Sequence, residues 1–159
     1  MPRNYESTAK YTKPDPVYGS LLATKIINKI MLQGKRSTAQ RLFYRAVDAA
    51  ARRIGLGEDE RSKVFEVAID NVRPAVEVRS KRVGGANYQV PHEVKRHRQQ
   101  SLAIRSVVEN ARKKRGKPMH LRLADEFTDA YNNQGASVQW KENTHKMADA
   151  NRAYSHFAF

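Results

Sequence analysis

Three observations in the sequence predict a mainly α domain, with six helices, a projecting β-hairpin arm and an extended basic N-terminal tail. Apolar residues recur at helical spacing in six stretches. Once, around Gly84-Gly85, the period switches to two. The first 18 residues carry Pro2, Pro14 and Pro16 and little apolar periodicity. At 159 residues the chain suffices for one domain with its own core, and no second domain is expected.

The tail, residues 1–18, carries Arg3, Lys10 and Lys13. From Gly19 onward Leu21, Leu22, Ile26, Ile27, Ile30 and Met31 mark a first helix. Gly34 is expected to stop it, since glycine accepts the left-handed conformation at a helix end. Ser37 is placed to cap a second helix. Its apolar face is Leu42, Phe43, Ala46, Val47 and Ala50, and Gly55 ends it. Glu58 to Val72 reads as a third, with its acidic start at the positive end of the helix dipole. Arg73-Pro74 closes it.

Val76, Val78 and Ser80 then alternate with Glu77 and Arg79, and Asn87 to Val94 is extended again, with Pro91 at an edge. Two short strands about a Gly-Gly turn make a hairpin over about residues 74–94. A lone hairpin is marginal in water, so this one is expected to project and to be ordered by a partner. A fourth helix starts near Arg96, carries Leu102, Ile104, Val107 and Val108, and runs into Arg112-Lys113-Lys114-Arg115 before Gly116. Pro118 suits the first turn of a fifth, with Leu121, Leu123, Ala124 and Phe127, which is expected to stop at Gly135. A last helix extends from Ser137 towards Ser155.

The charge points to a polyanion. Lys and Arg number 30 against 16 Asp and Glu, a formal net charge of +14. Self-repulsion on that scale opposes compaction unless counter-charge neutralises it. Between Arg73 and Lys117 there are 13 Lys or Arg and three acids, Glu77, Glu93 and Glu109. Lys25, Lys29, Lys35, Arg36 and Arg41 form a second basic region. Positive charge is thus spread over a tail, a turn, a hairpin and several helix ends. That suits a folded RNA recognised by shape and phosphate better than a DNA groove read by one helix. Tyr88 on the hairpin is a candidate for base stacking. The sequence has no twenty-residue apolar run and no amphipathic helix with an aromatic stripe, so no membrane partner is expected.

Catalytic readings fail on spacing. His92-Glu93 and His97 resemble a zinc-protease helix motif, but that motif needs histidines four apart and these are five apart. Gly34-Lys35 resembles the end of a phosphate loop, yet Lys29 stands where glycine is required and Arg36 where Ser or Thr is. The chain has no cysteine, which excludes disulfides and thiolate chemistry and suits a reducing cytosol. His120, His145 and His156 have no paired carboxylate in sight. No enzyme, cofactor or metal is expected.

Several long strings resemble one family. They are Pro14-Asp15-Pro16-Val17-Tyr18, then Ile26-Ile27, Gly34-Lys35-Arg36, Leu42-Phe43 and Ala46, the hairpin from Glu77 to Pro91, and finally Thr144 to Ala148 and Ala150 to Tyr154. The family is that of the seventh protein of the small ribosomal subunit in its bacterial form, and the resemblance runs from about Pro14 to Phe159. Three positions depart from it. Ser106 stands where the family usually has tryptophan, Pro118-Met119 where Ser-Met is usual, and Gln139-Trp140 where two lysines are common. The resemblance implies a structural constituent of the small subunit. It would bind the 3′ major domain of small-subunit rRNA and nucleate assembly of the head. Its arm would reach exit-site tRNA and the mRNA path, with the eleventh small-subunit protein and other head proteins as neighbours. The ribosome would be cytoplasmic rather than organellar. A second reading gives the same surface to an mRNA, for instance the transcript of its own operon.

The candidate rRNA-facing residues are Arg3, Lys10, Lys13, Lys25, Lys29, Lys35, Arg36, Arg96, Arg112, Lys113, Lys114, Arg115 and Arg152. Those of the arm are Arg79, Lys81, Arg82, Gly84, Gly85 and Tyr88.

Overall fold

A computed structural model of the chain describes residues 11–157. It is mainly helical, as expected. The helices are α1 (Leu21–Ile30), α2 (Arg36–Ile54), α3 (Arg61–Val72), α4 (Arg96–Lys113), α5 (Met119–Tyr131) and α6 (Gly135–Ala150). Between α3 and α4 lie two antiparallel strands, β1 (Val76–Val83) and β2 (Ala86–Glu93). Short 3-10 segments precede α3, at Glu58–Glu60, and follow α6, at Arg152–Phe157.

The core forms where the apolar faces of the helices meet. α5 sits at its centre, packed against α2, α3 and α4. Leu123, Ala124, Phe127 and Ala130 on α5 are buried with Phe43, Ala46, Val47 and Ala50 on α2 and Val64, Phe65, Ala68 and Ile69 on α3. The alanines let the helix backbones approach closely while the phenylalanines fill the space between them. Phe43 meets Phe65 at 5.5 Å and Phe127 at 6.3 Å between ring centroids, both in the tilted or edge geometry that aromatic quadrupoles favour.

The described part of the N-terminal tail folds back onto this core. Tyr18 packs on Phe43 and Phe65. Asp15 is buried, and its carboxylate accepts from the Val17 and Tyr18 amides and from the Tyr44 hydroxyl at 2.7 Å. Burial, reinforced by the Asp15 carboxylate, raises the Tyr44 pKa well above the ordinary tyrosine range, so Tyr44 stays a donor at any physiological pH. Residues 15–18 are therefore part of the folded body. Proline content suggested otherwise because an Asx turn and a single aromatic anchor leave no periodic trace.

Several helix boundaries also differ from expectation; α3 begins at Arg61 after the Glu58–Glu60 3-10 turn, and α6 ends at Ala150 rather than near Ser155. α1 ends at Ile30, and Gly34 (φ +73°) lies in the turn beyond it, after Gln33 (φ +53°). α2 begins at Arg36 with Lys35 as its N-cap, so Ser37 sits inside the first turn and caps nothing. Gly135 (φ +87°) opens α6, whereas α5 ends at Tyr131. A glycine between two helices serves the loop at either end, and its sequence position alone does not say which.

Each of four helix C-termini is closed by a side chain from another helix. The last carbonyls of a helix have no partner within it and carry partial negative charge, so a buried end needs donors from elsewhere. Arg112 of α4 donates to the Lys29 and Ile30 carbonyls of α1 at 3.1 and 3.2 Å. Arg122 of α5 donates to the Arg112 and Lys114 carbonyls at the end of α4. Asn71 of α3 donates to the Ala130 and Tyr131 carbonyls of α5 at 3.0 and 3.1 Å. Lys141 of α6 donates to the Asn71 carbonyl of α3 at 2.6 Å. α2 alone uses glycine, Gly55 in the left-handed region.

The hairpin turns through Gly84 and Gly85, both at positive φ (+56° and +89°), which is the backbone a two-residue turn requires. Its root is fixed to α6, where His145 Nε2 accepts from the Ala75 amide at 3.0 Å. The arm is not bare. The C-terminal 3-10 segment lies along it. Tyr88 packs on Tyr154 and Phe157 at 5.1 and 5.4 Å between centroids, and Lys81 Nζ donates to the Phe157 carbonyl at 3.0 Å. The expectation that a partner alone orders the arm is therefore corrected, because apolar area missing from the strands is supplied from the far end of the chain. Truncation after Asn151 is expected to accelerate amide exchange in residues 80–90 by an order of magnitude or more, while the helical melt barely moves, since no core residue belongs to that segment. Equal exchange in the truncated and full-length proteins would show the cover to be incidental.

Candidate nucleic-acid interface

The structure divides the basic residues into those that hold the fold together and those that are left free. In the first group are Arg112, Arg122 and Lys141, which close helix ends. Lys114 also belongs there. It points inward between its neighbours and pairs with Glu126 at 2.8 Å and Asp129 at 3.2 Å. Glu126 is fully buried, and its other oxygen accepts from the Ser137 hydroxyl and amide. No directional hydrogen bond meets the oxygen that faces Lys114, so the attraction there is chiefly Coulombic. Burial by itself lowers the Lys114 pKa, but the contacts and charges of Glu126 and Asp129 outweigh it and raise the pKa. Lys117 and Arg53 share Asp125, and despite its partial burial they hold that carboxyl below its ordinary value. In the arm, Glu77 is buried and takes ion pairs from both Arg79 and Arg98.

The second group is exposed and makes no ion pair or side-chain hydrogen bond among the described residues. Of the expected candidates it contains Lys35, Arg82, Arg96, Lys113, Arg115 and Arg152. Lys35 projects from the turn before α2, a helix whose start has no side-chain cap and no acid, so its positive end is open to an anion. Lys113 and Arg115 flank the inward Lys114 at the end of α4. Lys25 and Lys29 lie between these extremes. Lys25 donates to Gln100 at 2.6 Å, and Lys29 faces Glu109 at 3.4 Å in an exposed pair that contributes little and can open for a stronger anion. Lys13 and Arg36 line one cleft of about 410 Å³ with Tyr11, Thr12, Thr24 and Asn28. Arg3 and Lys10 lie outside the described residues.

Several expected roles change. Arg112 and Lys114 are committed internally, although Arg112 remains exposed along one side. Arg79 and Lys81 have partners in the protein, and the Tyr88 ring is packed against its own chain. Gly84 and Gly85 supply turn geometry. Arg45, Arg105 and Lys146 are exposed and unpartnered but were not singled out. Their helical positions opposite the apolar faces could have identified them. Ser106 donates nothing to the core and instead accepts from Asn110 at 3.4 Å, while Trp140 is half-buried against the core.

Comparison with known proteins resolves the family. The family model for ribosomal protein S7p/S5e matches residues 2–152. The chain belongs to the ribosomal S7 family.

Similar S7-family proteins, each named small ribosomal subunit protein uS7, come from diverse bacteria. That of Fervidobacterium nodosum is 50% identical over 155 residues, 98% of either chain. That of Rhodopirellula baltica is 53% identical over 145 residues, 91% of this chain and 92% of its own. That of Carboxydothermus hydrogenoformans is 50% identical over 157 residues, 99% of each. The S7-family assignment thus spans both groups of basic residues, the fold-holding and the free. Among the described residues, no helix is long and apolar enough to cross a membrane, and no three His, Asp or Glu converge as a metal site would require.

Proposed function

We propose that this chain is a structural, RNA-binding constituent of the small subunit of a bacterial-type cytoplasmic ribosome, and that it has no catalytic role. One observation carries the reading furthest. On an S7-family scaffold, a set of exposed cations makes no ion pair or side-chain hydrogen bond among the described residues, among them Lys35 at the turn before α2, Lys113 and Arg115 at the end of α4, and Arg82 in the arm. Unpaired lysines and arginines gain most from phosphate, because binding releases the counterions condensed on RNA. The names of its relatives support the small subunit as the setting.

In finer detail, the Lys35 turn and the Lys113-Arg115 end would grip the 3′ major domain of small-subunit rRNA, and the arm would face exit-site tRNA and the mRNA path beside the eleventh protein. Arg82, exposed at the arm's tip next to Gly84-Gly85, is the residue best placed for such a contact. The test is reconstitution. Small subunits assembled with this chain should sediment as complete particles and protect the 3′ major domain from chemical probes. Those carrying an arm shortened across Arg82 to Ala86 should assemble equally well but release exit-site tRNA faster. Failure of the intact chain to enter particles would end the reading, and unchanged tRNA release would remove the arm's part in it.

A further inference from the structure

Two clefts on the described surface contrast in charge. One, of about 480 Å³, contains Arg53, Lys114, Lys117 and Arg122, but Asp125 and Asp129 line it too and neutralise most of that charge. The other lies between α2 and α5. It measures about 290 Å³ and is lined by Thr38, Arg41, Leu42, Arg45 and His120, with no carboxylate among them.

Arg41 and Arg45 lie one turn apart on the solvent face of α2, and neither has a partner among the described residues. Like charges four apart on a helix destabilise it slightly. Glu77 neutralises the pair Arg79 and Arg98, and on α2 the acid one turn beyond Arg45, Asp48, is paired with Arg61. No carboxylate lines the cleft itself. The donors present are two guanidinium forks, a hydroxyl and an imidazole, all reaching a cleft whose floor is the half-buried Leu42. That set matches a tetrahedral oxyanion with several acceptor oxygens, since guanidinium engages phosphate through two parallel N–H bonds. Arg52, exposed and unpartnered, lies on the same face seven residues further on, roughly 10 Å along the helix axis. A run of phosphates leaving the cleft would meet it.

We propose that the α2–α5 cleft is a phosphate-binding subsite that takes backbone phosphates of RNA, which gives the protein a further contact face running along α2 from the Lys35 turn. The proposal rests on the RNA-binding reading above and adds a location that sequence alone did not supply. Arg45, Arg52 and His120 were not expected there, and Arg41 was noted only as part of a basic region.

The test compares the full-length protein with Arg41→Ala/Arg45→Ala, using a 3′ major domain transcript over a range of salt. Each phosphate contact contributes about 0.7–0.9 to the slope of log affinity against log salt, so the double variant should lose roughly 1.4–1.8 of slope and at least about tenfold in affinity at moderate salt. Its melting temperature should not change, since both side chains are exposed. Arg41→Lys/Arg45→Lys should keep most of the slope. The chain has no cysteine, so Thr38→Cys offers a unique tether for an iron chelate, which should cleave the bound transcript near the cleft. A double variant with the wild-type slope, or a tether that cuts nowhere, overturns the subsite while leaving RNA binding elsewhere intact. A wild-type protein with no salt dependence overturns the underlying reading as well. If inorganic phosphate saturates the cleft in NMR titrations while the RNA slope is unaffected, the site is one for small anions, and the RNA assignment is wrong.

Discussion

Replacing Lys114 with alanine is expected to lower the melting temperature by roughly 6–12 °C. Glu126 is fully buried, and its outer oxygen faces only the Lys114 ammonium. Removing that ammonium leaves a buried carboxylate without counter-charge, which costs about 3 kcal/mol, and for a chain of this length each kcal/mol shifts the melt by roughly 2–4 °C. Adding Glu126→Gln should restore most of the loss, because the amide can still accept from Ser137 and no buried charge remains. Lys113→Ala, one residue away but exposed, should leave the melt unchanged. The effect also has a pH signature. The pKa of Lys114 is raised above its ordinary 10.5 in the folded state, so its contribution is complete below pH 10.5 and fades as pH climbs through the folded value. The gap between wild type and Lys114→Ala should therefore hold steady from neutral pH to about 10 and then narrow. Thermal melts across that range are the check, and a gap that widens above pH 10.5 would mean that Lys114 does not act as the counter-charge.

The largest effect on binding is expected from Lys35→Ala/Lys113→Ala/Arg115→Ala. All three residues are exposed and unpartnered among the described residues, so they have nothing to lose within the fold. Three lost phosphate contacts should flatten the salt slope by roughly 2–3 and weaken binding to rRNA by about 10²- to 10³-fold near 0.1 M salt, with melting unaffected. Arg112→Ala is the informative contrast. Its guanidinium closes α1 through two carbonyls, and each such charged hydrogen bond is worth about 1.5–3 kcal/mol. It should therefore lower stability more than affinity. Filter binding and melting curves on both variants settle the division. If the triple variant unfolds, or Arg112→Ala binds poorly while melting normally, the two groups of cations have been assigned the wrong way round.

What the chain reveals without its structure depends on which interactions leave a period. The apolar faces of α2, α3, α4 and α5 are spaced at intervals that only a buried helix explains, and the Gly84-Gly85 pair between alternating segments marks a hairpin. The excess of cations and the absence of cysteine also follow from composition alone, and the family strings are local. RNA as partner was legible on those grounds, as was Lys35 as a free cation.

The job of each individual cation was not legible. Arg112, Lys113, Lys114 and Arg115 are equivalent as a run of letters. Yet one closes α1, one neutralises Glu126, and two face solvent, because the end of α4 meets α1 on one side and α5 on another. That partition depends on partners some 12 to 83 residues away. The cover on the arm is of the same kind. Tyr88 reads as a candidate for base stacking, but Tyr154, from the 3-10 segment after α6, packs 5.1 Å from it. Periodicity reports which side of a helix faces inward. Only tertiary structure decides which carbonyl, carboxylate or ring waits there, and so which positive charges remain for RNA.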